Sequence, residues 1–209
     1  EAGSLAIFVA PLLRPQPFAA ESGPPSPLVI TLLRWLTFRL MLGAGLIKLR
    51  GDPCWRELTC LVFHYETQPN PNVFSWYLHQ LPAWFHKLEV LFNHLVELVA
   101  PWFYFGPRRA RLVAGGLTVL FQALLIVSGN LSFLNWLTIA VAVSCFDGGL
   151  LQRLVPQGLR GRLASRVAGA TERKPRALVC YALALVVGFL SLNPVLNMLS
   201  PGQVMNTSF

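Results

Sequence analysis

The sequence is short of charge. Asp, Glu, Lys and Arg make up 12% of its 209 residues, about half the 25% of an ordinary soluble domain. Too few charges remain to solvate a globule of this size, which argues against a soluble enzyme, a disordered chain and a nucleic-acid binder. Signature motifs are missing too. There is no His-Glu-x-x-His, no Cys-x-x-Cys, no glycine-rich phosphate loop and no Gly-x-Ser-x-Gly elbow, so neither a metal nor another cofactor is expected. No repeat of fixed period occurs. The first residue is Glu1, and no basic stretch precedes the apolar run Leu5 to Leu13. That run does not read as a signal peptide and is too short to span a bilayer. Residues 1–14 read instead as the end of a membrane helix whose start is missing.

What is abundant is apolar. Hydrophobic residues make up 54% of the chain, and mean hydropathy is +0.53. A bilayer core of about 30 Å needs about 20 helical residues. Five segments reach or approach that length: Leu28 to Leu49, Leu88 to Phe105, Leu112 to Val127, Phe133 to Phe146 and Ala177 to Leu199. The pattern predicts an all-α, multi-pass transmembrane bundle over 28–199, preceded by a Pro-rich linker at 15–27. Residues 50–86 read as a long aromatic loop, 147–176 as a basic loop, and 200–209 as the start of a further region.

The net charge is +8. In a soluble protein it would suggest a polyanion partner; in a membrane protein a Lys/Arg excess marks the cytoplasmic loops. With alternating spans, residue 14, turn 106–111 and loop 147–176 share one side and hold eleven Lys/Arg, against four at Lys48, Arg50, Arg56 and Lys87. The first side is expected to be cytosolic. Loop 50–86, turn 128–132 and the tail then face the lumen or exterior. Nucleic acid is not an expected partner; membrane lipid is. On the oxidising side a Cys54–Cys60 disulfide is favoured, and Asn206-Thr207-Ser208 is a glycosylation sequon. Asn130-Leu131-Ser132 is a second sequon, but its turn is too short and too close to the bilayer to be modified. Cys145 and Cys180 fall in or beside spans and read as small buried hydrophobes.

Ionisable residues within spans are expensive and draw attention to themselves. Arg34, Arg39 and Lys48 lie on the first complete span; His86, Glu89, Asn93 and Glu97 share a face of the next. Counting about 1.5 Å per residue along antiparallel helices sets Arg39 level with Glu97, and Lys48 level with Glu89. The plainer reading is a seam of structural ion pairs; the sharper one is a proton relay or active site. In loop 50–86, Trp55, Tyr65, Trp76, Tyr77 and Trp84 either anchor to the interface or form a partner-binding surface.

The run GDPCWRELTCLVFHYETQPNPNVFSWYLHQLPAWFHKLEVLFNHLVELVAPWF, with LFQALLIVSGNLSFLNWLT and the tail SPGQVMNTSF, resembles the lipase maturation factor family, and DPCWRELTC, HYETQP and NLSFLNWLT point to the first of its two vertebrate paralogues. The likeness covers about Pro27 to Phe209, apart from 148–176. It implies a multi-pass endoplasmic-reticulum protein that assists folding, dimer assembly and secretion of lipases such as lipoprotein lipase and hepatic lipase, and that is not an enzyme. Immature secreted lipases would be the partners, met by a lumenal loop; by position, 50–86 is the candidate. The family's first spans and long C-terminal lumenal region are not in this chain. A shorter likeness competes. Gly45-Leu46-Ile47-Lys48-Leu49, with Trp55 beyond, is similar to a helix end in carboxylase-like membrane enzymes, where the lysine acts as a base. That alternative would use Lys48 with Glu89, Glu97 and His94.

Overall fold

The computed structural model describes residues 2–9, 26–68, 71–129, 133–154, 156 and 174–202. Asn206, the 130–132 sequon, nearly all of the 15–27 linker and most of loop 147–176 lie outside the described residues. The protein is all-α, with no strand among the described residues. Its helices are α1 (Ala2–Val9), α2 (Pro27–Arg50), α3 (Cys60–Thr67), α4 (Val73–His79), α5 (Ala83–His94), α6 (Arg108–Ser128), α7 (Leu134–Ala142), α8 (Gly148–Leu154) and α9 (Lys174–Leu199). Among the described residues three stretches are long and apolar enough to cross a membrane: Pro27–Arg50, Arg108–Ser128 and Leu178–Leu199.

α2 is the central helix, packed by α1, α7, α9 and the segment that follows α5. Proline at its first turn suits helix entry, since the missing N–H would be unpaired there anyway. Its buried residues, including Leu32, Leu36, Phe38, Met41 and Leu42, fall on all three apolar clusters of the core. Outside the bundle, α9 exposes Leu178, Tyr181, Leu185, Phe189, Leu192 and Leu196. Exposed apolar surface on this scale has no place in water and is what a lipid-facing helix presents.

Two expectations are corrected. The apolar segment from Leu88 to Phe105 is not one straight helix. α5 ends at His94, a single π turn covers Leu95–Val99, and a 3₁₀ stretch covers Ala100–Phe105. Pro101 explains the break: it has no N–H for the carbonyl one turn back, and its ring crowds that turn. The exposed residues Leu88, Leu91, Leu95, Val99 and Trp102 still form one apolar stripe, while His86, Asn93 and Glu97 are buried on the other side. Nor is 50–86 a loop. It folds into a 3₁₀ turn (Pro53–Trp55), α3, α4 and the start of α5. Asn72 caps α4 in a reciprocal capping box with Ser75.

That short-helix region is bolted to the bundle. Asn72 Nδ2 donates to Val127 O at 2.5 Å and Ser75 Oγ to Ser128 O at 2.7 Å, with a longer bond from Gln68 Nε2 to Ser128 O. These carbonyls end α6 and have no partner within the helix, so docking Gln68, Asn72 and Ser75 there satisfies groups that would otherwise be orphaned.

Candidate functional site

α2 runs antiparallel to the α5 segment, because Gly45 meets Glu97 and Leu98 while Phe38 meets Trp102 and Phe105. A Cβ at Gly45 would lie 2.6 Å from Leu98 Cδ2 and 3.0 Å from Glu97 Cβ. Only glycine permits that approach, and it brings the side chain one turn on, Lys48, against the π turn.

Lys48 Nζ donates to Glu97 Oε1 at 2.7 Å and to Asn93 Oδ1 at 2.8 Å, and Asn93 Nδ2 donates to Glu97 Oε2 at 2.9 Å. The three form a closed triangle in which the buried carboxylate of Glu97 is engaged at both oxygens. The Trp55 ring covers the ammonium at 4.9 Å, a cation–π contact, and His94 Nε2 lies 3.0 Å from the Trp55 carbonyl oxygen. The expected pairing is therefore changed. Lys48 joins Glu97, not Glu89, and Glu97 is held by Lys48 and Asn93, not by Arg39, which is buried further along α2. The reason lies first in register, since Gly45 packs at Glu97 and Leu98 and so sets Lys48 nearer His94 than Glu89, and then in side-chain direction. Helical side chains lean toward the N-terminus of their own helix. On antiparallel helices Lys48 leans into the bundle and Glu97 leans back toward it, whereas Glu89 leans away from both.

Glu89 belongs to a second cluster. Tyr65 Oη donates to Glu89 Oε1 at 2.8 Å, and His86 Nδ1 lies 3.0 Å from Glu89 Oε2. Burial, then this hydrogen bond and the carboxylate charge, push the Tyr65 phenol upward. The neighbouring His64 is driven the other way, first by burial and then by the positive charge of Lys48.

Above both clusters lies the cysteine turn. Cys54 and Cys60 are joined in a disulfide with Cα atoms 4.7 Å apart, Asp52 accepts from Cys54 N, and Thr59 N donates to Cys54 O. Leu58 takes a left-handed conformation at φ 60° to close the turn. Asp52, Cys54 and Cys60 are the one gathering of potential metal ligands among the described residues, but their sulfurs are bonded to each other. Cys145 and Cys180 are free thiols, both buried.

The five aromatics expected on a partner surface divide. Tyr65 is buried and Trp55 half-buried, both committed to polar groups below them. Trp76, Tyr77 and Trp84 are exposed at 65%, 62% and 62%, beside exposed Val73 and Phe74. Trp76 and Tyr77 meet edge to face with centroids 5.1 Å apart. α4 thus presents a rigid aromatic face, anchored from behind by Asn72 and Ser75.

The family described as Lipase maturation factor transmembrane domain matches over residues 1–153, most of the described helices. The chain belongs to the lipase maturation factor family. It is 50% identical over 223 residues to Lipase maturation factor 1 of Bos taurus and 48% over 220 residues to that of Homo sapiens, in both cases over all of this chain and 39% of the relative. Lipase maturation factor 2 of Gallus gallus is 43% identical over 162 residues, 77% of this chain and 23% of the relative. The chain thus spans about two-fifths of the length of its factor 1 relatives. No solved structure matches it. The family's transmembrane domain agrees with the three membrane-crossing helices.

Sequence reasoning found the polar face of the α5 segment and Lys48 opposite it, but not that Lys48 meets Glu97, and it missed the Tyr65–Glu89–His86 cluster. The signal available was Pro101, which disturbs helical phase just past Glu97. Two further features had no local signal: the docking of Gln68, Asn72 and Ser75 onto the end of α6, and arginines 34 and 111, which donate to the carbonyls of Ser144 and Cys145.

Proposed function

We propose that the chain is the membrane-embedded part of an endoplasmic-reticulum factor that assists the maturation, dimer assembly and secretion of lipases such as lipoprotein lipase and hepatic lipase. Family membership is the observation that carries this reading. The orientation goes with it: residues 50–86 on the lumenal side, 147–176 on the cytosolic side, as the basic asymmetry favours. Immature lipase meets the face of Val73, Phe74, Trp76, Tyr77 and Trp84. Aromatic rings offer large apolar area with few rotatable bonds, which suits capture of a client whose own apolar surface is still exposed.

A second reading has one observation in its favour. Lys48, Glu97 and His94 gather about Trp55, where a carboxylase-like membrane enzyme would keep its base. Glu89, the fourth member of that set, is held by Tyr65 and His86, and Lys48 is neutralised by Glu97.

One experiment separates the two. Secreted lipase activity per lipase polypeptide made is measured in cells carrying full-length variants. A W76A/Y77A double variant should lower it several-fold with the membrane domain still folded. Lys48→Arg keeps the cation and its ion pair but cannot serve as a base at neutral pH, and should leave activity near wild type. Loss with Lys48→Arg and none with W76A/Y77A would reverse the assignment.

A further inference from the structure

At the end of the bundle away from the disulfide, α1, α2 and α7 do not close on one another. Leu5 of α1 is buried against Leu32 and Leu36 of α2, and Ala2, Gly3 and Ala6 of α1 line the space beside it. With Ala140 opposite, the helices leave an open apolar groove of about 580 Å³, lined also by Ile30, Leu33, Leu137 and Phe146. That volume lies within the range of ligand sites, about 300–1,000 Å³.

Two cations stand just outside the groove lining. Leu33 and Ser144 line the groove. Arg34, next along α2 from Leu33, donates through Nε to Ser144 O at 2.8 Å, and Arg111 of α6 donates through Nε to the adjacent Cys145 O at 3.2 Å. Two guanidiniums therefore stand side by side where the α7 segment ends. Arg108 lies nearby but is committed to Asp147, whose other oxygen accepts from Leu150 N. Among the described residues no carboxylate forms an ion pair with Arg34 or Arg111, although the charge of Arg111 acts on the Asp147 carboxylate at longer range. Ser144 Oγ is buried and unpartnered, within a residue only 7% exposed.

Two adjacent cations near a membrane are costly without a counter-charge. Guanidinium groups hold phosphate oxygens through paired N–H donors. The apolar groove beside them asks for a chain, and the donors ask for an anion. We infer that this groove binds one molecule of an anionic glycerophospholipid, with an acyl chain along α1 and α7 and its phosphate on Arg34 and Arg111. The site is independent of the client surface, which lies at the opposite end of α2.

The test uses the full chain in detergent, titrated with dioleoyl phosphatidylserine or dioleoyl phosphatidylcholine and read by native mass spectrometry. The wild type should retain one phosphatidylserine in preference to phosphatidylcholine. An R34Q/R111Q double variant should lose that preference by about 25-fold, at about fivefold for each arginine facing an anionic lipid. Arg109→Gln, an exposed arginine on the same helix turn, should lose none. Ala140→Phe fills the groove from an exposed position and leaves both arginines in place, so it tests the acyl-chain half even if the arginine variant does not fold. It should lower phosphatidylserine retention several-fold, and soluble glycerophosphoserine should fail to compete. Equal retention of the two lipids by the wild type would overturn the inference. So would equal losses from Arg109→Gln and R34Q/R111Q, or an Ala140→Phe variant that binds as the wild type does.

Discussion

Replacing Lys48 by Ala leaves the carboxylate of Glu97 in the bundle with Asn93 as its remaining partner. The Glu97 side chain is 5% exposed and that of Lys48 25%, so the acid cannot recover water and the base can. Breaking a buried pair from one side costs about 3–5 kcal/mol; partial exposure and the surviving Asn93 bond place Lys48→Ala at the lower end. At about 2–4 °C per kcal/mol for a chain of this size, the melting temperature should fall by about 6–12 °C. Glu97→Gln should cost less, about 1–2 kcal/mol, because the amide still accepts from Asn93 and Lys48 keeps Asn93 Oδ1 and its exposure to solvent. Replacing both residues with Met should cost much less than the sum of the single losses, since no charge is then left unpaired. Thermal unfolding in detergent, followed with a thiol-reactive fluorophore, measures all three: Cys145 and Cys180 are buried at 0% and 1% exposure and react only when the bundle opens. Equal shifts for Lys48→Ala and Glu97→Gln, or a double variant whose shift is the simple sum, would refute the argument.

Three further outcomes follow from the same geometry. His64 is pushed below its usual value by burial and by Lys48, so the unfolded chain binds its proton more readily; its contribution is complete above pH of about 6.5 and is lost as the pH falls below it. Melting temperatures from pH 8 to 5 should therefore drop less for His64→Gln than for the wild type, and identical slopes would contradict this. Gly45→Ala should destabilise by about 1–3 kcal/mol, since its Cβ would strike Leu98 and Glu97, and it should loosen the Lys48 pair; an unchanged melting temperature would show that α2 can move aside. Cys54→Ser/Cys60→Ser should cost about 2 kcal/mol for so short a loop, and labelling of the unreduced, denatured wild type should find two reactive thiols, where four would show the bridge absent.

The all-α membrane class was legible because it rests on composition and run length, which tertiary contacts do not alter. Leu28–Leu49 and Leu112–Val127 read close to the observed α2 and α6 for the same reason. The short helices within 50–86 were hidden by prolines at 53, 69, 71 and 82. Pro53 opens a 3₁₀ turn and Pro82 stands at the entry to α5, positions where a missing N–H costs nothing. Exposure of the aromatics was half-legible. α4 is too short to bury two faces, so Trp76 and Tyr77 stay outside, but nothing local to Tyr65 announces a carboxylate 24 residues away.

The polar seam shows where linear counting stops being sufficient. Counting from the ends of the apolar runs sets Lys48 beside Glu89, but Gly45 packs against Glu97 and Leu98, so the backbones sit more than a turn away from that count. Three physical facts act together to make the observed choice. Side chains on antiparallel helices lean in opposite senses along the bundle. Gly45 allows the two backbones to close until a lysine and a glutamate can meet. Pro101 forces the π turn that contains Glu97, and such turns recur where a helix must aim a functional group. Glu89, released from Lys48, ties Tyr65 of α3 to α5, and Trp55 of the cysteine turn covers the ammonium. The short-helix region therefore rests on the membrane bundle through Glu89 and Lys48 on one side and through Asn72 and Ser75 on the other. An aromatic face held from two directions keeps its shape, so the Lys48–Glu97 pair supports the α4 surface from a distance.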